Sequence, residues 1–264
     1  MIQIIQKQFI VIFLLSVVVI DAQFALPTFQ AAHKPHDSNY SNYVLDLNGT
    51  NEYAYCADNS NFEPANWSIQ AWVDPSDVPT DSNQDWFIEK KKVYRIGLEG
   101  SASGVEVTGG LRTGGSYRNV NSGNQNFYVT TGGGWYHVVM TFDGTNLVLY
   151  VNGDEKDTNS SASYSTTNNN NNFFIGHKEG SAKFYNGRID EVSFWNTGLS
   201  ANAVAALYNS GAGISASSNS GNYTSSGSLV FYLQMQQNLN DSENSYNFTG
   251  ENISSDDYEV TSFE

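Results

Sequence analysis

Hydrolysis of a polysaccharide generally needs two carboxylates about 5–9.5 Å apart. On a β-strand that spacing calls for acids at i and i+2 or i+4 on one face. The acids at hand do not follow that pattern. Asp190 and Glu191 are adjacent, so in a regular strand they point to opposite faces, and Glu99 and Glu106 stand isolated in glycine-rich surroundings. His137 alternates with Trp135 along a strand-like run, the setting of a hydrogen-bonded packing histidine and not of a general base. The sequence shows no Ser/His/Asp grouping, phosphate loop or His-rich metal motif, so the chain reads as a binder and not as an enzyme. Recognition of sugar needs an exposed aromatic to stack on the ring and polar groups to bond its hydroxyls. Trp86, beside Asp85 and after the polar stretch 80–84, is the tryptophan least explained by core packing. Tyr94, Arg112 and Tyr117 are expected in loops where they could join it. The plainer alternative for each is a partly exposed loop aromatic or a solvated arginine.

The elements that must position these residues are strands. Segments 67–73 and 136–142 alternate apolar and polar residues, 147–151 is continuously apolar, and 189–195 resumes alternation. A period of two with β-branched and aromatic enrichment predicts β-structure. Asn48-Gly49, Asp143-Gly144, Asn152-Gly153 and Asn186-Gly187 supply hairpin turns, and Gly109-Gly110, Gly114-Gly115 and Gly132–Gly134 mark further loops. The all-Asn run 168–172 reads as a solvated loop. One helix is predicted over 201–208, capped by Ser200, closed by Gly211 and packed on one end of the fold.

Composition narrows the partners. A formal charge of −15, from 12 Lys+Arg against 27 Asp+Glu, argues against nucleic acid, which requires clustered cations. The one basic run, Lys90-Lys91-Lys92, is expected on a solvated loop. The single cysteine, Cys56, excludes an internal disulfide and reads as a small packed residue. Residues 1–22 have the basic start, short apolar run and terminal Ala22 of a secretory signal. An extended leader over 23–42 follows, and no membrane span is expected after cleavage, which implies a secreted or cell-surface protein.

Three stretches then resemble the laminin-G-like, or concanavalin A-like, jelly-roll family. They are Leu45-Asp46-Leu47-Asn48-Gly49 leading to Trp67–Val73, then Gly134–Gly144 with Leu149–Gly153, and Phe184–Trp195 with Leu199-Ser200 and Ala205–Tyr208. The resemblance implies an all-β fold over 43–213, a two-sheet antiparallel jelly-roll β-sandwich with one short helix. Hydrolases of this fold carry a Glu-x-Asp-x-x-Glu or Glu-x-Asp-x-Glu run, which is missing here. The resemblance also implies a structural Ca²⁺ held by the Gly49 carbonyl and Asp190, with Asn48 or Asn51 as helpers; calcium takes six to eight oxygens. The implied function is a non-catalytic module for a glycan or an extracellular-matrix or cell-surface partner. An assembly protein and a divergent polysaccharide-active enzyme are the alternatives. The tail 214–264 has one predicted strand, 229–235, which either completes its own sandwich or pairs with a neighbouring subunit and so drives self-association.

Overall fold

A computed structural model describes residues 43–80, 83–132, 134–162 and 169–260. The expected signal (1–22) and leader (23–42) lie outside the described residues. Among the described residues fifteen strands form, in chain order β1 (Tyr43–Asn48), β2 (Tyr53–Cys56), β3 (Trp67–Pro75), β4 (Gln84–Lys90), β5 (Tyr94–Ser101), β6 (Gly104–Thr113), β7 (Ser116–Asn121) and β8 (Tyr136–Phe142). They continue with β9 (Leu147–Val151), β10 (Asp154–Asn159), β11 (Phe173–Ile175), β12 (Asn186–Trp195), β13 (Leu229–Leu233), β14 (Thr249–Glu251) and β15 (Tyr258–Val260). A single α-helix, α1, spans Ala201–Tyr208 among the described residues.

The strands build a two-sheet antiparallel sandwich. The eight-stranded sheet runs β10-β9-β8-β3-β12-β1-β15, with β13 also on β12; the seven-stranded sheet runs β14-β2-β11-β4-β5-β6-β7. Inward residues of both sheets make one core, including Trp67, Phe87, Tyr94, Met140, Phe173, Phe194 and Phe231. Cys56 packs in this core, where burial pushes its thiol pKa up to about 11. No helix among the described residues is long and apolar enough to cross a membrane.

The outer side of the eight-stranded sheet is also covered. Val139, Tyr150, Trp195 and Tyr232 point away from the core and meet Leu199, Val204 and Leu207 of the α1 region. Ser200 Oγ accepts from Ala203 N at 3.3 Å and caps the helix as expected. Its end is set by Asn209 in the left-handed region, before Gly211 is reached. The helix therefore lies on a sheet face and not at one end of the sandwich. His137, fully buried, sits under this cover at 4.9 Å from the Trp72 ring and stacked 5.8 Å from Tyr208. Its Nε2 lies 2.9 Å from Gln70 Oε1, and burial holds its pKa at about 3.

The tail belongs to the sandwich. On one edge of β12, β1 pairs with residues 186–189 and β13 with 192–195, so two short strands share the edge. Between them β12 bulges at Glu191, whose φ is 54°. β13 ends at Leu233, short of the expected 235, and β14 and β15 then extend the seven- and eight-stranded sheets by pairing with β2 and β1. The tail strand β13 thus pairs with β12 of its own chain.

Several local expectations change for physical reasons. Gly109-Gly110 lies inside β6 and not in a loop: a Cβ at Gly109 would come 2.5 Å from Met140 Sδ, so the sheets approach over it. Asn186-Gly187 opens β12 and is not a hairpin turn; a Cβ on Gly187 would meet Asp74 O at 2.5 Å. Lys90 leaves the solvated loop for the interior, with Nζ 2.5 Å from Asp58 Oδ1 and 3.0 Å from Glu63 Oε1. That ammonium also donates to Asn171 O at 2.7 Å, so the described part of the Asn run anchors a buried charge.

Two predictions follow from this packing. Phe231→Ala, in the tail strand, should cost about 3–5 kcal/mol in denaturant unfolding, whereas a midpoint unchanged from wild type would detach the tail from the core. His137 has a depressed folded pKa, so its stabilisation is complete above its unfolded value of about 6.5 and fades as pH falls toward 3. His177 is shifted down as well, so the comparison must isolate one ring. Between about pH 6 and 5, His137→Gln should flatten the stability slope, which reaches about 1.4 kcal/mol per pH unit for one such group; parallel wild-type and variant profiles would contradict this.

Candidate outer-face site

The register of the seven-stranded sheet sets out a continuous row of outward residues. Thr249 pairs with Tyr55, Tyr55 with Phe174, Phe174 with Glu89, Glu89 with Arg95, Arg95 with Gly110 and Gly110 with Asn119. Each strand contributes one residue. At about 4.8 Å per strand the row is on the order of 29 Å long.

One end of this face is aromatic. Tyr53 and Tyr55 alternate outward from β2 and remain half-buried. The Tyr53 ring lies 5.9 Å from Phe174 and 4.7 Å from His177, which stacks at 4.5 Å on the half-buried Phe184. The loop 176–185 thus folds over the outer face. Its Glu179 N–H donates to Glu89 Oε2 at 2.9 Å. Glu89 is buried at mid-row; desolvation raises its pKa, against the opposing pull of that N–H, Lys178 and Arg95.

The other end is cationic. Arg95 lies between two rings, 4.3 Å from the Trp86 centroid and 3.9 Å from Tyr117, with Arg112 at 5.6 Å from Tyr117. Glycines make room for the rings. A Cβ at Gly97 would stand 2.7 Å from Trp86 Cε3, and one at Gly110 would stand 3.2 Å from Tyr117 Cδ1. Lys92 N donates to the Tyr117 hydroxyl at 3.2 Å and fixes its far edge.

The structure therefore joins Trp86, Arg112 and Tyr117, though on strands and not in loops. Trp86 is 1% exposed because Arg95 and the sheet cover it, so it supports the face from beneath. Tyr94 is a correction: it points into the core from β5, where its hydroxyl donates to Phe62 O at 2.8 Å. Sequence reading missed Arg95, Tyr53, Tyr55 and Phe174. The signal for Tyr53 and Tyr55 was their period of two; Arg95 carried none, because its neighbours arrive from other strands.

The residues match the family model of the Concanavalin A-like lectin/glucanases superfamily over 48–205, more than half of the chain. The chain belongs to this superfamily. No curated protein matches it in sequence. Among solved structures it resembles a candidate carbohydrate-binding protein from Bacteroides ovatus at 15% identity, covering 78% of this chain and 58% of that one, with a TM-score of 0.54. It is also similar to a heptameric SAP-like pentraxin from Limulus polyphemus (13% identity, 64% and 82% coverage, TM-score 0.49). A domain of an extracellular arabinanase from Geobacillus stearothermophilus, solved with arabinotriose, matches at 21% identity, 61% and 74% coverage and TM-score 0.48. At these identities the likeness is one of fold.

The calcium position expected of a concanavalin A-like sandwich does not assemble from the residues named for it. Gly49 sits against Asn186, the start of β12, where its Cβ would be 2.5 Å from Asn186 Cβ. Asp190 lies four residues further along β12, about 13 Å away at the usual strand rise. Asn48 and Asn51 are engaged in their own turn: Asn48 Oδ1 accepts from Thr50 N and Asn51 N, and Asn48 Nδ2 donates to Asn51 Oδ1. Among the described residues no three His, Cys, Asp or Glu side chains gather as a metal site. Arg188 bonds Asp74.

The carboxylates also differ from expectation. The bulge at Glu191 breaks alternation, so Asp190 and Glu191 both act on Tyr232, whose hydroxyl donates to Glu191. Both acids are buried. Glu99 and Glu106, read as isolated, are direct cross-strand partners on β5 and β6.

Trp86→Ala should destabilise the protein by about 3–5 kcal/mol, while Tyr55→Ala should cost about 1 kcal/mol. Equal losses in denaturant unfolding would contradict the division between a buried support and a half-exposed contact surface.

Proposed function

We propose that the chain is a secreted, non-catalytic carbohydrate-binding module that takes an extended glycan, from matrix or cell surface, along the outer face of its seven-stranded sheet. The observation that carries this reading is the cross-strand row beginning at the half-buried Tyr53 and Tyr55. A pyranose ring presents C–H groups on its faces, and the negative face of an aromatic ring attracts them. Rings held on a rigid sheet lose little freedom on binding, which favours affinity. The polar groups of Thr249 and Asn119 flank the row and suit hydroxyl recognition.

The test is a glycan-array screen followed by titration of the best ligand. Tyr55→Ala should weaken binding by about tenfold or more without unfolding the protein. Absence of glycan binding, or binding indifferent to Tyr53 and Tyr55, would overturn the reading.

The facing Glu99 and Glu106 favour a second reading. Cross-strand partners place Cβ atoms about 4.5–5.5 Å apart, compatible with the carboxyl spacing of a retaining glycosidase, about 5–5.5 Å. Release of reducing ends from a bound polysaccharide, abolished by Glu106→Gln, would establish that activity. No product from any bound polysaccharide leaves the module non-catalytic.

A further inference from the structure

We propose that Arg95 is an anion-recognition residue that makes this face selective for uronate-bearing polysaccharides. The inference rests on the glycan-binding reading above and deepens it by naming the ligand class.

Three observations point there. The first is the state of the guanidinium. It lies over two rings, Trp86 at 4.3 Å and Tyr117 at 3.9 Å, and its buried Nε has no hydrogen-bond partner among the described residues. Glu89, its direct neighbour on β4, turns its carboxylate to the Glu179 N–H. Glu89 and Glu99 act on Arg95 through longer-range attraction, which opposes the lowering of its pKa by burial. A half-buried guanidinium packed on rings, with its Nε–H unsatisfied, suits a carboxylate, which can take the guanidinium fork in two parallel hydrogen bonds.

The second observation is the distribution of charge. The chain has only 12 Lys and Arg, yet Lys91, Lys92, Arg95, Arg112, Lys178 and Lys183 all lie on this sheet or on the loops against it. Lys90, between them in sequence, is buried and neutralised by Asp58 and Glu63. The net charge of −15 does not cancel this concentration, because charges beyond about 8 Å are largely screened at physiological salt. Of the acids on this face, Glu89 and Glu179 lie among the cations, with Lys91 Nζ 3.9 Å from Glu179, while Glu99 and Glu106 sit toward the opposite end of β5.

The third is continuity. Arg95 stands in the same cross-strand row as Tyr55 and Phe174. A sugar stacked at the aromatic end can continue as a polymer over the 176–185 loop, which covers Glu89 between them, and present a carboxylate at Arg95. An acidic peptide would meet the cations without using the aromatic end, and the DNA oligonucleotide in the titration below separates a nucleic acid, whose bases also stack on rings, from the polysaccharide.

The experiment is calorimetric titration of the full chain with oligogalacturonate and with its neutral methyl ester, which differ in charge and not in backbone. The uronate should bind more tightly, and its affinity should fall with salt while that of the ester holds. Arg95→Gln should weaken the uronate by about tenfold, the weight of one charge-assisted hydrogen bond, and leave the ester unchanged. Arg95→Lys should fail to restore it, since an ammonium keeps the charge without the fork. If Arg95→Gln does not fold, Arg112→Gln gives the same contrast at smaller size.

Equal binding of uronate and ester, or a proportional loss of both in Arg95→Gln, would overturn the inference while leaving the glycan-binding reading in place. Dextran sulfate bound as tightly as the uronate, or a DNA oligonucleotide or polyglutamate so bound, would overturn it by showing a general anion surface. A neutral glycan bound with no uronate affinity would also overturn it alone. No binding of any glycan in the array would defeat both.

Discussion

The fold depends on how the long edge of β12 is covered. β1 satisfies its first half and β13 its second, and the bulge at Glu191 lies where the two strands meet. Without β13, the backbone groups of residues 192–195 on that side would be unpaired, and an open edge of this kind is a template for aggregation. The chain meets the constraint by returning from its C-terminal tail after the α1 region. Phe231 then enters the core between Phe62, Phe173, Phe194 and Phe248, with ring centroids 5.2–5.9 Å away. The same return lays β14 beside β2, so the tail that closes one sheet also borders Tyr53 and Tyr55 on the other.

The two outer faces of the sandwich have different fates. On the eight-stranded sheet, Trp72, Trp195, His137 and Tyr232 are sealed under α1 and the segment after it, where Trp195 Nε1 donates to the Tyr223 hydroxyl and that hydroxyl donates to Ala216 O. On the seven-stranded sheet the loop 176–185 crosses the face, touching it through His177 and Glu179. Aromatic and cationic groups are left half-buried on either side of that crossing. Burial on one face and partial exposure on the other follow from where the single helix lands.

Much of the sandwich was legible because period-two alternation and hairpin residues are local signals. The strands around Trp67, Val139 and Leu149, the turn at Asn152-Gly153, and the Ser200 cap all follow from a few adjacent residues. What escaped depends on register between distant segments. Gly49 follows β1, which pairs with the strand that holds Asp190, yet it sits against Asn186, four residues from Asp190, a separation that no one-dimensional pattern displays. Lys90 looked solvated because it stands with Lys91 and Lys92, while its partners Asp58 and Glu63 arrive from another segment. Likewise Trp86 and Tyr117 were legible as residue types, but the arginine that joins them was not. Gly109-Gly110 has the composition of a loop, and only the approach of Met140 explains why the glycines belong in a strand.

The proposed contact surface is the cross-strand row, and amide shift mapping tests it most directly. The ¹H–¹⁵N spectrum of the chain would be titrated with the tightest-binding oligosaccharide from the array. The account predicts that the largest shifts trace Tyr53, Tyr55, Phe174, Glu89, Arg95 and Asn119 across the seven-stranded sheet. Shifts confined instead to α1, the turns of the eight-stranded sheet or the 48–51 loop would contradict it.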